Sequence, residues 1–569
     1  MNIRAHRILV LLWMIASFSF CAQANDKLVA YGVKAITKRQ ILLDFKAPKT
    51  PFRILSIRAC RGEYEPASFV AQTLQEAIVL SIKCADLTGS AGRIPASAVD
   101  IRTVKRWYQA GDQIGDGAPV NQNMRLLMPE LLLKDDSLIR NDDENKHSYV
   151  KLTFPDGKTK WRCVTKAEPT DEENDFSVEA CPATDAKTLQ PVSIPKKTAK
   201  QFWVTVHVPQ DTGAGKYEGE IELRSGNEVL ETLKLQAEVL EFELAENELE
   251  SSIYYHWGNG LNKENKGTLS SNLRTESQFR AELENLLAHG VDNPTVGVPF
   301  ETELLRKELQ LRKEVGMKND HLYYLGAGTD LPLETLKEII SIAKEFGYTD
   351  VYFYGEDEAS GDALKAQRTK WQKIRKIGGK IFVAGYWDNF AMMGDIQDVM
   401  VRCYQPTKQI SNLWHAKGHK IFSYGNPQAG LEDPEVYRRN YGLLLAVNGY
   451  DGGMDFIYYE TWNDFNQGQF RSHNMVYPTV NGVIDTIQWE GYREGIDDLR
   501  YLATLKKAIK HAERNGKDKN AEDAKAFINN LRIVGELYWD GAGNTVISPG
   551  TDMDTVRNEI IDWIVKLSK

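Results

Sequence analysis

An N-terminal β-sandwich followed by a (β/α)8 TIM-type barrel with a short helical C-terminal extension is the architecture this sequence of 569 residues predicts. Three observations carry it. Short alternating runs separated by turn residues fill the chain up to residue 248. From residue 250 onward, strand and helix patterns alternate eight times. Where those strands end, aromatic rings recur beside carboxylates and amides.

The N-terminus has the pattern of a signal peptide. Arg4, His6 and Arg7 precede the apolar run 8–16, and small residues stand at Ala22 and Ala24. Cleavage after Ala24 would leave Asn25 first and send the protein to the periplasm or the medium. Phe20, before Cys21, is too bulky for a lipoprotein cut. No other run reaches the ~20 apolar residues needed to cross a bilayer. In an exported chain, Cys60–Cys84 and Cys163–Cys181 are candidate disulfides, with buried thiols the alternative. The formal charge of -9, with no basic cluster interleaved with aromatics, argues against nucleic acid.

Residues 25–248 are assigned to the sandwich. Phe202-Trp203-Val204-Thr205-Val206-His207-Val208 and Tyr217-Glu218-Gly219-Glu220-Ile221-Glu222-Leu223 alternate around the turn 209–215. The charged stretch 134–197 reads as an excursion from it. Residues 249–510 are assigned to the barrel, with strands expected at 252–257, 295–298, 321–325, 350–355, 380–385, 400–404, 420–424 and 454–459. Helical patterns fall at 276–289, 301–315 and 333–346, the last closed by Gly347. Residues 511–569 read as a charged helical extension.

The fourth strand is the most informative. Asp350-Val351-Tyr352-Phe353-Tyr354-Gly355 runs straight into Glu356-Asp357-Glu358. Three adjacent acids repel one another, so at least one should have a raised pKa. A protonated carboxyl beside an ionised one is what cleavage of a glycosidic bond requires. A solvated strand-to-helix turn is the plain alternative. Strand-end position in a barrel favours chemistry, and the other strand ends agree: His256 and Trp257 on the first; Tyr386, Trp387, Asp388 and Asn389 on the fifth; Tyr424 and Asn426 on the seventh; Tyr459, Glu460, Trp462 and Asn463 on the eighth. Rings stack on the C–H faces of sugars while polar groups bind hydroxyls, so these are candidate substrate contacts.

The Asp357–Glu358 pair, joined to Val476-Tyr477-Pro478 and the block Ile487-Gln488-Trp489-Glu490-Gly491-Tyr492-Arg493-Glu494-Gly495-Ile496-Asp497-Asp498, resembles glycoside hydrolase family 123. The resemblance implies a β-sandwich joined to a (β/α)8 barrel and exo-β-N-acetylgalactosaminidase activity. It implies substrate-assisted catalysis, with Glu358 protonating the leaving oxygen and Asp357 holding the acetamide nitrogen. Gly355-Glu356 and Glu460 depart from the pattern and leave the sugar open. Trp489 and Glu490 are further candidate substrate residues; Glu490 and Arg493 divide evenly between packing and site duty, whereas Asp498 and Arg500 read as ion-pair formers.

No cofactor or metal is expected. Gly326-Ala327-Gly328 lacks the third glycine of a dinucleotide fingerprint, and His415 and His419 are separated by Gly418 without a metal-binding cluster. No Gly-x-Ser-x-Gly elbow is present. Two other readings stay open: a conventional retaining glycosidase using Glu358 and Glu460 on a sugar without an acetamide, and a carbohydrate-binding protein without turnover. The expected partner in each case is an oligosaccharide or glycoconjugate; oligomeric state is not legible.

Overall fold

Alternation of apolar and polar residues builds the first half of the computed structural model, which describes residues 27–110, 124–166, 169–255, 260–298, 300–326, 328–463, 471–534 and 550–569. One sheet has five antiparallel strands in the order Leu28–Val33, Tyr64–Thr73, Ala199–His207, Val99–Ala110, Arg125–Leu133. A second runs Val192–Ile194, Ile78–Cys84, Gly215–Ser225, Glu228–Val239, Ile54–Ala59. In Glu228–Val239, Leu233, Leu235, Ala237 and Val239 are buried at period two. They share one core with Phe69 and Phe202 of the other sheet. The excursion at 134–197 contains a three-stranded sheet, Ile139–Asp142, His147–Thr153 and Thr159–Cys163.

The second half is a parallel sheet. Seven strands pair in the order Glu250–Ile253, Gly452–Asp455, Lys420–Ser423, Val399–Arg402, Lys380–Gly385, Asp350–Tyr354, His321–Tyr324. The expected strand at 295–298 is reduced to one bridge, Val296 to Tyr324. Pro294 brings no N–H to a ladder there. Even so, Thr295 N donates to Ile253 O at 3.1 Å and Val296 N to Tyr323 O at 2.7 Å, so this segment joins the first strand to the third and the sheet closes on itself. Tyr323, Tyr352, Phe382 and Phe422 pack against one another in its interior.

Helices lie between the strands. Thr275 and Gln278 form a capping box at the start of Glu276–Ala288. Gly347, with φ 94°, follows Leu333–Glu345 in the left-handed conformation that glycine tolerates. The eighth strand ends at Asp455 rather than 459, and Tyr458 and Tyr459 beyond it turn into the apolar layer with Phe279 and Trp489. A single helix, Ile487–Arg514, runs across position 510, followed by Asp518–Asn530 and Met553–Ser568.

These last helices bind the two halves together. Leu505, Ile509, Ile560 and Ile564 pack with Cys60 and Leu240, which directly follow the strands Ile54–Ala59 and Glu228–Val239. Asp498 pairs with Arg438 and Arg557, and Arg557 also reaches Glu494 at 2.7 Å and Glu65 at 3.1 Å. Arg500 pairs with Asp497 at 2.8 Å. The ion-pair expectation for Asp498 and Arg500 therefore holds. The disulfide expectation does not: Cys60, Cys84, Cys163 and Cys181 are all free thiols. Burial raises the pKa of each. Among the described residues no helix is long and apolar enough to cross a membrane.

Candidate active site

The acids sit where the fourth strand leaves the ring. Gly355 makes the exit: a Cβ there would lie 2.7 Å from Trp371 and 3.2 Å from Val383, so only glycine lets the backbone pass. Its N–H still donates to Phe382 O at 3.0 Å. Glu358 then adopts φ 49°, uncommon for a residue with a side chain, and its N–H bonds Ala384 O at 3.2 Å. That conformation gives the two carboxylates separate surroundings.

Asp357 accepts a hydrogen bond from Tyr354 Oη at 2.6 Å. Tyr354 Oη lies 3.0 Å from Tyr254 Oη and accepts from Ala384 N at 3.3 Å. Glu358 accepts from two other tyrosines, Tyr386 through Oε2 and Tyr424 through Oε1. The fourth and first strands thus hold one acid, while the fifth and seventh hold the other.

The two acids also differ electrostatically. Desolvation raises the pKa of Asp357; the Tyr354 hydrogen bond pulls it down, and the neighbouring Glu358 charge adds to the rise. Although Asp357 faces the mouth as a residue, its carboxyl is ringed closely enough by protein for desolvation to dominate. Two positioned carboxylates of unlike environment, with aromatic hydroxyls fixing their orientation, can deliver a proton to one atom and hold a developing positive charge at another.

Residues 120–225 match the model for the glycoside hydrolase 123 N-terminal domain. The chain also superposes on a family 123 glycoside hydrolase from Clostridium perfringens with a TM-score of 0.60, covering 95% of this chain and 97% of that one. Over residues 120–225 the chain resembles glycoside hydrolase family 123. At 14% identity the superposition speaks for the fold. A family 39 glycoside hydrolase from Bacteroides cellulosilyticus WH2 is similar at 12% identity over 55% of this chain and 75% of that chain, with a TM-score of 0.31. An N-acetylneuraminate lyase from Mycoplasma synoviae is similar at 11% over 56% and 97%, with a TM-score of 0.26; neither bears on the argument. No curated protein matches the chain by sequence.

The expected substrate residues divide. Tyr386 and Tyr424 touch Glu358, and Trp387 stands exposed beside them. Asp388 accepts from Gly361 N at 2.8 Å and fixes the turn after the acids. His256 and Trp257 lie outside the described residues. Glu460 accepts from the His473 backbone at 2.7 Å, with its ring nitrogen at 3.2 Å. Asn463 bridges to Asn174 at 2.9 Å.

Several others are structural. Asn389 is buried, accepting from Tyr386 N and donating to Gln397. Asn426 is buried, and its carbonyl accepts from Asn440. The Tyr459 hydroxyl goes to Glu282, under the Arg274 guanidinium. Trp462 packs between Trp107 and Tyr477 and donates to Pro478 O. Trp489 donates to Asn285 and stacks on His289. Glu490 accepts from Trp203 at 2.9 Å and pairs with Arg493 at 2.7 Å, joining the barrel to the N-terminal sheet. For Tyr459 and Trp462, strand-end position did not reveal the side-chain direction, because the eighth strand stops at Asp455, four residues early.

Sequence reading missed Tyr254 and Tyr354 as partners of the acids. Their signal was present: Tyr354 is the last residue of the strand and shares the parity of the inward-facing Tyr352.

Proposed function

We propose that the chain is an exported glycoside hydrolase that removes a β-linked N-acetylhexosamine, N-acetylgalactosamine foremost, by substrate-assisted retaining catalysis. The observation that supports this most is the split environment of adjacent Asp357 and Glu358, one bound by Tyr354 and the other by Tyr386 and Tyr424. In this reading the acetamide oxygen of the sugar attacks the anomeric carbon while Glu358 gives its proton to the departing glycosidic oxygen. Asp357 accepts from the acetamide N–H and stabilises the positive charge of the cyclic intermediate. Glu358, now a base, takes a proton from water as that water opens the ring at the anomeric carbon. The Clostridium perfringens protein is described through glycolipid glycan hydrolysis, which fits a terminal sugar as substrate.

A panel of aryl β-glycosides tests the reading. Turnover of 2-acetamido sugars, with little of the 2-hydroxy counterparts, is expected; vigorous hydrolysis of a plain β-galactoside would overturn it. Export with removal of residues 1–24 is part of the same proposal. N-terminal sequencing of secreted protein should begin at Asn25, and a lipid-modified start at Cys21 would contradict it.

A further inference from the structure

Trp387 is 65% exposed, more than any other large apolar side chain among the described residues. Leaving a tryptophan in water forgoes the stabilisation that burying it would give. This one is also held in place. The Arg402 guanidinium lies 4.4 Å from its ring centroid, and the Tyr404 ring lies 6.2 Å away at an interplanar angle of 21°. Arg402 is itself buried and sits 5.5 Å from Tyr404. Tyr404 adopts φ 79°, a strained conformation for a residue with a Cβ, and such strain persists where the surroundings enforce it. Burial of Arg402, stacking and strain together hold one indole face towards the protein and leave the side chain open to solvent.

Its place relative to the acids gives it a role. The preceding residue, Tyr386, donates to Glu358. Asp357 is tied through Tyr354 to Tyr254, on the first strand's side of the ring. Tyr386 and Trp387 follow the fifth strand, Tyr404 the sixth, and Tyr424 the seventh. The proton donor and the exposed indole therefore share one side of the mouth, and the acetamide-holding acid is anchored towards the other. A proton donor must face the oxygen of the departing bond, so the group beyond that oxygen lies on the donor's side.

We propose that Trp387, braced by Arg402 and Tyr404, is the platform for the leaving-group side of the substrate, and that it takes a sugar ring there. A single flat indole among charged neighbours suits a ligand with one apolar face and a polar rim, which describes a pyranose better than an acyl chain. This assignment rests on the glycosidase reading above.

The test compares leaving groups. Wild type and Trp387→Ala are assayed on a disaccharide and on an ethyl glycoside carrying the same terminal 2-acetamido sugar. The ratio of kcat/KM for the disaccharide to that for the ethyl glycoside should fall at least tenfold in Trp387→Ala, and Trp387→Phe should restore part of it. Inhibition by a thiazoline, which has nothing beyond the anomeric carbon, should change far less. An unchanged ratio, or an equal loss on both substrates and the inhibitor, would overturn the assignment. Failure of the acetamide reading would show separately, as wild-type indifference to the thiazoline. The same ratio, measured on whichever glycosides the enzyme then cleaves, still decides the role of Trp387.

Discussion

The Tyr354 hydroxyl donates to Asp357 Oδ1 at 2.6 Å, and it is the one contact that lowers the pKa of this aspartate against desolvation and the Glu358 charge. In the proposed mechanism Asp357 must be ionised to stabilise the cationic intermediate. Tyr354→Phe removes the donor, so the pKa rises further and the acidic limb of the kcat/KM profile moves to higher pH. The profile on a 2-acetamido aryl glycoside measures this. A limb that stays in place would show that Asp357 does not set it.

Glu358→Gln should leave the fold intact, because the amide oxygen keeps one of the two tyrosine hydrogen bonds and the amide NH2 can donate to the hydroxyl oxygen of the other. Hydrolysis of substrates with poor leaving groups should fall by ~10²–10⁴-fold, the usual worth of a general acid. Activated aryl glycosides need little protonation and should lose less. Equal loss on both substrate types would remove Glu358 from the role of acid.

The elements of the fold were more legible than the directions of side chains beyond them. Lys380–Gly385 and the helix Thr302–Val315 follow directly from apolar periodicity and glycine stops. The second strand was overread: after Pro294 the segment keeps a hydrogen bond to the first strand and one bridge, Val296 to Tyr324, rather than a continuous ladder. In the site, Asp357, Glu358, Tyr386 and Tyr424 come together because they flank true strand ends. Tyr459 and Trp462 follow an eighth strand that ends at Asp455, so they turn into the packing between barrel and neighbours. Trp489 and Glu490 begin a long helix whose buried face meets the N-terminal sheet, a contact with no local sequence signature.

That contact gives a stability prediction. Burial opposes the charge of Glu490, but Arg493 and His289 outweigh it and hold its pKa well below the usual carboxylate range. A depressed pKa contributes stability that is present above the unfolded value and lost as pH falls through the folded one. Glu490→Ala would leave Arg493 buried without its partner, at a cost of ~3–5 kcal/mol. Thermal melts at neutral pH should show a clear fall in Tm, and the gap should narrow in strong acid. Activity per folded molecule should stay near wild type. A variant with wild-type Tm but no turnover would move Glu490 into the site.

The last prediction separates two ways of making the glycosyl intermediate. If the substrate's acetamide is the nucleophile, Asp357→Asn should lower the rate sharply, because a neutral amide stabilises positive charge poorly. A thiazoline mimic should inhibit. Glu460→Gln should cost much less, since Glu460 is engaged by the His473 backbone and ring. A conventional retaining enzyme, with Glu460 as nucleophile, would need the two carboxyls ~5 Å apart and would give the reverse pattern. It would accept a 2-hydroxy sugar and ignore the thiazoline, and Glu460→Gln would abolish turnover. Rates of the two variants on matched 2-acetamido and 2-hydroxy aryl glycosides discriminate directly. The acetamide route is expected because Asp357, adjacent to the acid yet held by its own tyrosine, already has a place to meet the acetamide nitrogen, whereas Glu460 meets a histidine.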